Sequence, residues 1–308
     1  MSDDALRPAR RFLHVCYNGD EKAAATGMFV EALGLRHAWT APTGRQSASI
    51  LGLEDDVVSG ADFVFDARGP RTSPAIEVQE WIEPAPVGPP FQDPTAVGIQ
   101  ALGFAVPDLD GARRALQALG SVPVGSGPSP LASPWVTVRD PAGVTFDLVG
   151  DPSLPADGSR MRHLRITVTD LAASVPWYER VGFEVLDRHA FDHGAFVGHD
   201  DTVEAEVVRM RLPDEPYEVL LFEWRTPPSH GHHYAEPYHA GIYRAALGVD
   251  DTRAAHAAMS ADGVEFTHPP ISVELTGTPV PDMWICFLKD PDGVQYELVE
   301  RPRSAFRP

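Results

Sequence analysis

The sequence predicts an α+β fold built from four consecutive βαβββ modules. The first observation is that residues 289–300 read as a tight turn followed by a strand, because Asp-Pro and Asp-Gly favour turns and apolar and polar residues then alternate. The second is that residues 139–149 repeat this pattern, with Asp147 at the place that Glu297 occupies. The chain is therefore a duplication. One such module could not close a core alone, so the modules must pair.

Each module is predicted from the same order of one strand, one helix and three further strands. In the first half of the chain the predicted strands are 12–17, 48–53, 62–66, 75–81, 98–106, 122–124, 135–139 and 144–149, and the predicted helices are 21–33 and 108–119. In the second half the predicted strands include 161–168, 183–186, 204–211, 217–224, 241–249 and the end of 289–300, and the predicted helices are 170–180 and 251–259. Asp108, Asp170 and Asp251 open three of these helices, where a carboxylate caps free backbone N–H groups.

The connecting segments predict two domains. A Pro-rich segment at residues 84–90 is too stiff for a sheet interior, and residues 151–159 form a linker. The predicted N-terminal domain covers 11–150, with modules at about 11–83 and 97–150. The predicted C-terminal domain covers 160–301, with modules at about 160–226 and 240–301.

Composition narrows the class of protein. The 308 residues are 43% hydrophobic and 22% charged, which fits a globular protein. A formal net charge of −19 disfavours nucleic acid and anionic membranes as partners, because both would repel the protein. Two cysteines cannot form a disulfide framework, and neither a secretion signal nor a membrane-spanning run is visible. We therefore expect a cytoplasmic protein.

Three patterns in the third and fourth modules carry a resemblance to a known family. They are the opening His-x4-Val-x-Asp-Leu at 163–171, the helix end Trp-Tyr-Glu-Arg-Val-Gly-Phe at 177–183 and the closing Asp-Pro-Asp-Gly-x3-Glu-Leu at 290–298. Together with the βαβββ order, they resemble the vicinal oxygen chelate superfamily, which includes glyoxalases, bleomycin-resistance proteins and extradiol dioxygenases. The resemblance implies that modules pair into two half-open eight-stranded β cups with flanking helices. It also implies that each complete cup holds one metal ion on ligands from the first and last strands of its modules.

In the C-terminal cup, the resemblance places metal ligands at His163, Glu218 and Glu297. Arg244 stands at the fourth ligand position, and an arginine cannot ligate a cation because it remains protonated. Two alternatives follow: Arg244 forms an ion pair with Glu297 in a metal-free cup, or it binds an anionic substrate beside a metal that has fewer ligands. The expected cofactor is one divalent ion, with Fe, Mn, Zn, Ni and Co not distinguished, or no metal at all.

In the N-terminal cup, the same carry-over gives His14 and Asp147, with Glu77 as a further candidate and Ala101 at the remaining position. Ala101 offers no ligand, and its neighbour Gln100 is expected to face the other way in a strand. A degenerate, structural cup is the main expectation here, and a second metal site the alternative.

Further residues are candidates for substrate contact and catalysis. Arg165, Arg244 and Trp284 are expected to contact substrate from the cup wall. The candidate catalytic residues are Glu297, Arg244 and His239, the last folding over the mouth of the cup.

The residues favour a metal-dependent glyoxalase- or epimerase-like lyase or isomerase that acts on a small oxygen-rich metabolite. An extradiol dioxygenase is an alternative, but it would need a second histidine where Arg244 stands and another in the region of residues 278–281, which are Thr-Pro-Val-Pro. A metal-free protein that binds or sequesters a small molecule is the other alternative. A homodimer is a further expectation, because cups in this superfamily form within a chain or across a dimer.

Overall fold

The computed structural model describes residues 8–300, with the exception of positions 20, 129, 132, 157, 200, 201 and 275–281. Within them the chain forms four βαβββ modules, as the sequence predicts. The strands are β1 Ala9–Asn18, β2 Arg36–Ser47, β3 Asp56–Phe65, β4 Ala75–Glu83, β5 Gly98–Val106, β6 Val122–Gly127, β7 Trp135–Arg139, β8 Thr145–Gly150, β9 Arg160–Thr167, β10 Glu184–Phe191, β11 Glu204–Arg211, β12 Glu218–Thr226, β13 Gly241–Val249, β14 Phe266–Glu274, β15 Asp282–Lys289 and β16 Gln295–Glu300. The helices are α1 Lys22–Leu33, α2 Leu109–Ala118, α3 Leu171–Val181 and α4 Thr252–Ala261.

The local predictions differ from the structure mainly in the first module, and strands β14 and β15 of the fourth module were not assigned. The side chains of Asp108, Asp170 and Asp251 each accept a hydrogen bond from a backbone N–H in the first turn of their helices. The strand predicted at 48–53 is instead a single 3₁₀ turn, Ser49–Leu51, which ends at Gly52 with φ of 82°. The strand before it, β2, was not predicted, because its mostly exposed sequence lacks an alternating apolar pattern.

Two eight-stranded mixed sheets form, and neither combines the two modules of one half of the chain. One sheet has the order β14-β15-β16-β13-β1-β4-β3-β2 and joins the first and last modules. The other has the order β10-β11-β12-β9-β5-β8-β7-β6 and joins the two middle modules. We call them the terminal cup (β1–β4 and β13–β16) and the central cup (β5–β12).

This pairing corrects the predicted division into an N-terminal cup of residues 11–150 and a C-terminal cup of residues 160–301. The seams are formed by the first strands: β1 runs antiparallel to β13, and β5 runs antiparallel to β9. A short linker allows β8 to lead directly into β9, so the middle modules meet edge to edge. The other two connectors, between β4 and β5 and between β12 and β13, run next to each other from one cup to the other. Short bridges join Val87 to His239 and Ala96 to His230.

One continuous apolar core joins the two cups on the side that carries the helices. Two matching contacts link each module to its sequence neighbour across this core. Tyr17 donates a hydrogen bond of 2.6 Å to Asp140, and Tyr178 donates one of 3.0 Å to Asp290. Both aspartates belong to the repeated turn, in which each also accepts a bond from the backbone N–H four residues later. The first and second modules, and likewise the third and fourth, therefore pack face to face instead of sharing a sheet.

None of the helices within the described residues is long and apolar enough to cross a membrane.

Candidate active site in the terminal cup

Four side chains converge inside the terminal cup from four different strands. His14 lies on β1, Glu77 on β4, Arg244 on β13 and Glu297 on β16. Strand alternation puts them there, because neighbouring apolar residues such as Val15 turn towards the helix-side core. The site therefore rests on strands, which are the most rigid part of the fold.

His14 lies between the two carboxylates. Its Nε2 atom is 3.4 Å from Oε2 of Glu77 and 3.4 Å from Oε2 of Glu297. This nitrogen is buried and has no hydrogen bond of normal geometry within the described part of the chain. An imidazole nitrogen facing two carboxylate oxygens is a donor set that suits a divalent cation.

Arg244 supplies the positive charge on the other side of the same carboxylates. Its NH2 group donates a 2.7 Å hydrogen bond to Glu77, and its Nε lies 3.4 Å from Glu297. A third contact runs from NH1 to the Sγ atom of Cys16 at 3.4 Å. The first of the two alternatives for Arg244, an ion pair with Glu297, is thus present in the structure, and the closer partner is Glu77.

The electrostatics of the cup follow from these contacts. Burial alone would raise the pKa of Glu297, but His14 and Arg244, which face its carboxylate, hold it below its usual value. Burial would lower the pKa of Arg244, but the carboxylates of Glu77 and Glu297 outweigh it and raise that pKa. Burial raises the pKa of the Cys16 thiol, so Cys16 is a neutral contact. The site thus holds two carboxylates against one fixed cation.

An aromatic wall stands beside His14. The ring of Phe63 meets the His14 ring edge-on at 5.9 Å, and Trp39 stacks on Phe63 at 3.8 Å. Sequence analysis missed both residues, since Trp39 lies on the unpredicted strand β2. The alternation of small and apolar residues along β3 was the signal that could have identified Phe63.

The central cup holds the other predicted ligands in a closed arrangement. Asp147 accepts two hydrogen bonds from Arg165, at 2.7 and 3.2 Å, and one of 2.9 Å from Thr137. His163 Nε2 lies 3.3 Å from the same carboxylate. Burial alone would raise the pKa of Asp147, but the charge of Arg165, followed by His163, lowers it to about 2. Burial lowers the pKa of His163.

The central cup is also filled. Trp135 packs against His163 at 5.0 Å and against Phe196 at 4.9 Å, and Phe196 comes from a 3₁₀ turn inserted into the cup. The side chains of His163 and Asp147 are 0% exposed, whereas those of His14 and Glu77 are 14% and 10% exposed. Solvent therefore reaches the terminal-cup group and not the central-cup pair.

These positions correct the predicted ligand set of His163, Glu218 and Glu297. Glu297 lies in the terminal cup with His14, because β16 pairs with β13 and β13 pairs with β1. Glu218 is in the same cup as His163 but binds Arg162 at 2.6 Å and Arg209 at 3.2 Å. His14 and Asp147, which were predicted to share the N-terminal cup, also lie in different cups.

The remaining predicted residues take different places. His239 stacks on Tyr234 at 3.9 Å within a connector, so it packs against that loop and makes no described contact with the four converging side chains. Trp284 faces helix α4, where Arg253 lies 4.6 Å above its ring, and it is not part of the cup wall. Gln100 lines a recess together with Arg165, contrary to expectation, because the register of β5 against β9 shifts between Ile99 and Ala101. Residues 278–281, which bear on the dioxygenase alternative, lie outside the described residues.

Comparison with known proteins agrees with this architecture. Residues 160–298 match the family model of the Glyoxalase/Bleomycin resistance protein/Dioxygenase superfamily. This part of the chain, somewhat less than half of it, is similar to that superfamily. The glyoxalase-superfamily match thus covers the third and fourth modules, each of which contributes to a different cup.

Similar proteins extend the likeness to the whole fold. Lactoylglutathione lyase of Schizosaccharomyces pombe is 26% identical over 172 residues, which is 53% of this chain and 53% of that protein. The chain thus spans about half the length of this curated relative. Glyoxalase I from Zea mays superposes with a TM-score of 0.69 at 17% identity, covering 99% of this chain and 96% of the other. A putative dioxygenase from Bacillus subtilis superposes at 0.64 with 11% identity, covering 95% and 86%. The two superpositions establish the glyoxalase-superfamily fold.

Proposed function

We propose that the terminal cup is the active site of a glyoxalase- or epimerase-like lyase or isomerase that acts on a small oxygen-rich metabolite. The observation that carries the proposal is the position of His14 Nε2, 3.4 Å from one carboxylate oxygen of Glu77 and 3.4 Å from one of Glu297. In this proposal His14, Glu77 and Glu297 hold one divalent ion. The fourth position, next to Arg244, is left for substrate.

The chemistry of the three side chains fits such an ion, but Arg244 already contacts two of them. One imidazole and two carboxylates suit a divalent transition metal with open positions. However, the described residues contain no group of three or more His, Cys, Asp or Glu side chains already arranged around an ion, and here Arg244 contacts both carboxylates. Binding of the ion therefore requires the guanidinium to release at least Glu77.

Arg244 has a defined task once it is released. A guanidinium in a pocket of low polarity binds a carboxylate or phosphate through paired N–H groups. The positive charge of Arg244 stays compensated, because the anionic substrate replaces Glu77 as its partner. Arg244 would thus orient an anionic substrate beside the reacting carbon.

Glu297 is the candidate proton carrier. Its lowered pKa keeps it deprotonated at neutral pH, so it can accept a proton from a carbon next to a carbonyl group. A divalent ion at this site would stabilise the negative charge that then develops on the substrate oxygen. Phe63 and Trp39 would cover the apolar part of the substrate and exclude water from it.

A metal-free binding protein is the second candidate, and a separate observation favours it. The 2.7 Å bond between Arg244 and Glu77 already compensates one carboxylate without a metal. In this candidate the cup binds a ligand and converts nothing. The dioxygenase alternative has less support, since His14 is the one histidine among the four converging residues.

Metal analysis separates the two candidates. Purified protein dialysed against Mn²⁺ or Zn²⁺ is expected to retain one ion, and a chelator is expected to lower its melting temperature. His14→Ala should lose that ion, whereas His189→Ala, which removes a half-exposed histidine from β10, should keep it. Substoichiometric metal in the wild type and a melting temperature unchanged by chelator would reject the metal-dependent enzyme and leave the binding protein.

A further inference from the structure

A small recess, part of it open to solvent, lies in the central cup away from the four converging residues. Its polar lining includes Arg165, Arg139, Gln100 and Thr145, and Phe91 and Val197 form part of its apolar wall. None of these residues contributes to the proposed catalytic group. The recess is therefore a separate feature.

Both arginines present an unused donor there. Arg165 is 2% exposed, and its Nε and NH2 groups are bound to Asp147. Its NH1 group is buried and has no hydrogen-bond partner within the described chain. The same holds for Nε of Arg139, whose NH2 group donates to the backbone oxygen of Gln92. Two buried N–H groups without acceptors are costly unless a further group satisfies them.

The charges around the recess are also unbalanced. Arg165 is compensated by Asp147, but Arg139 has no salt bridge to any described carboxylate. Burial lowers the pKa of His163, the other basic group beside Asp147, so it is neutral and adds no charge to this balance. The local charge is therefore close to +1 inside a protein whose net charge is −19. A positive pocket on an acidic protein selects for a compact anion.

We infer that this recess is a binding site for a small oxyanion, a carboxylate or a phosphate, which accepts hydrogen bonds from Arg165 NH1 and Arg139 Nε. The site is distinct from the proposed substrate position at Arg244, which lies in the other cup.

The test is a titration of the whole protein with acetate and, separately, with inorganic phosphate at constant ionic strength, with chloride as the balancing salt. Isothermal calorimetry and the melting temperature are both recorded. We expect saturable binding of at least one oxyanion to the wild type. Arg139→Gln should weaken it at least tenfold, because it removes the uncompensated charge without disturbing Asp147.

Three further variants make the result specific. Arg165→Lys keeps the charge opposite Asp147 but removes the NH1 donor, and it should also weaken binding. Arg113→Gln, an exposed arginine on α2, should bind as the wild type does. Arg244→Gln should retain binding as well, because its arginine serves the terminal cup.

Two results would overturn the inference. One is a non-saturable effect that is equal for acetate, phosphate and chloride, which would be charge screening alone. The other is saturable binding that survives Arg139→Gln but is lost in Arg244→Gln, which would place the anion in the terminal cup. A failure of the metal test above has no bearing on either result, since it concerns different residues.

Discussion

Arg244 and Glu77 join the fourth module to the first: the NH2 group of one lies 2.7 Å from the carboxylate oxygen of the other. The pair lies inside the cup, and the Oε2 atoms of Glu77 and Glu297 that Arg244 contacts are the same atoms that face His14. The same carboxylates can therefore serve a guanidinium or a metal ion, and the two cations compete.

Removal of Arg244 should strengthen metal binding. A unit charge about 4 Å from another contributes about 4 kcal/mol at an effective dielectric constant near 20, so Arg244→Gln should tighten Mn²⁺ or Zn²⁺ binding by at least about tenfold. Without metal the variant should be less stable, by about 3 kcal/mol, because two buried carboxylates lose their partner. Calorimetric titration and urea denaturation measure the two effects. Arg188→Gln, an exposed arginine on β10, is the control, and equal affinities in both variants would contradict the competition.

The buried ion pair of Asp147 and Arg165 in the central cup should affect the stability of the protein but not its metal content. Asp147→Asn leaves Arg165 buried without a counter-charge and should destabilise the protein by about 3–5 kcal/mol at pH 7. Because the folded pKa of Asp147 is about 2 and an unfolded aspartate titrates near about 4, its contribution is full above pH 4 and is lost as the pH falls towards 2. Urea denaturation between pH 3 and 7 measures this. Metal content should not change, and a loss of metal in Asp147→Asn would show that the central cup also binds an ion.

Asp290 should produce the opposite pH dependence. Burial, with a smaller effect of the Asp292 charge, raises the pKa of Asp290 to about 7, although hydrogen bonds oppose the shift. The folded state then binds more protons than the unfolded state between about pH 4 and 7, so this group lowers stability as the pH rises through that range. Asp290→Asn keeps an oxygen acceptor for the turn and should remove that loss. Asp251→Asn, an exposed helix cap, should leave it in place, and parallel profiles for wild type and Asp290→Asn would disprove the assignment.

Alanine substitution of one phenylalanine in each cup should distinguish the filled central cup from the more open terminal cup. Phe196 is fully buried among the aromatic rings of the central cup, so Phe196→Ala should cost about 3–5 kcal/mol in unfolding free energy. Phe63 is half-buried beside His14, and Phe63→Ala should cost roughly 1–2 kcal/mol. Urea denaturation compares the two. If both substitutions cost the same, the terminal cup is as closed as the central one.

The sequence was sufficient to predict the four modules but not to predict which modules share a sheet. The turn that ends in Glu297 and its copy before Asp147 identified the repeat, because turn chemistry and strand alternation are local. Ligand positions such as His14 and Glu297 could be placed on their strands for the same reason. The pairing of β1 with β13 could not be predicted, since it depends on which sheet edges meet across more than 200 residues. That single non-local choice separated His163 from Glu297.

Side-chain direction limited the rest of the site prediction. Trp284 was expected in the cup wall, but one step along β15 turns it to helix α4. Gln100 was expected to face away, and a register shift turned it inwards. The first error is a wrong choice of strand face, and the second arises from a single-residue register shift that leaves no mark on composition or periodicity.

The seam between β1 and β13 also constrains the order in which the protein can assemble. His14 leaves the ribosome early, but its partners on β13 and β16 are synthesised more than 200 residues later. In the sequence the central cup lies between these strands, so it can fold once β12 has been synthesised. The first module cannot complete its sheet at that stage, and the edge of β1 remains unpaired. We therefore expect the terminal cup to close last, with the edge of β1 exposed to other pairing until β13 is available.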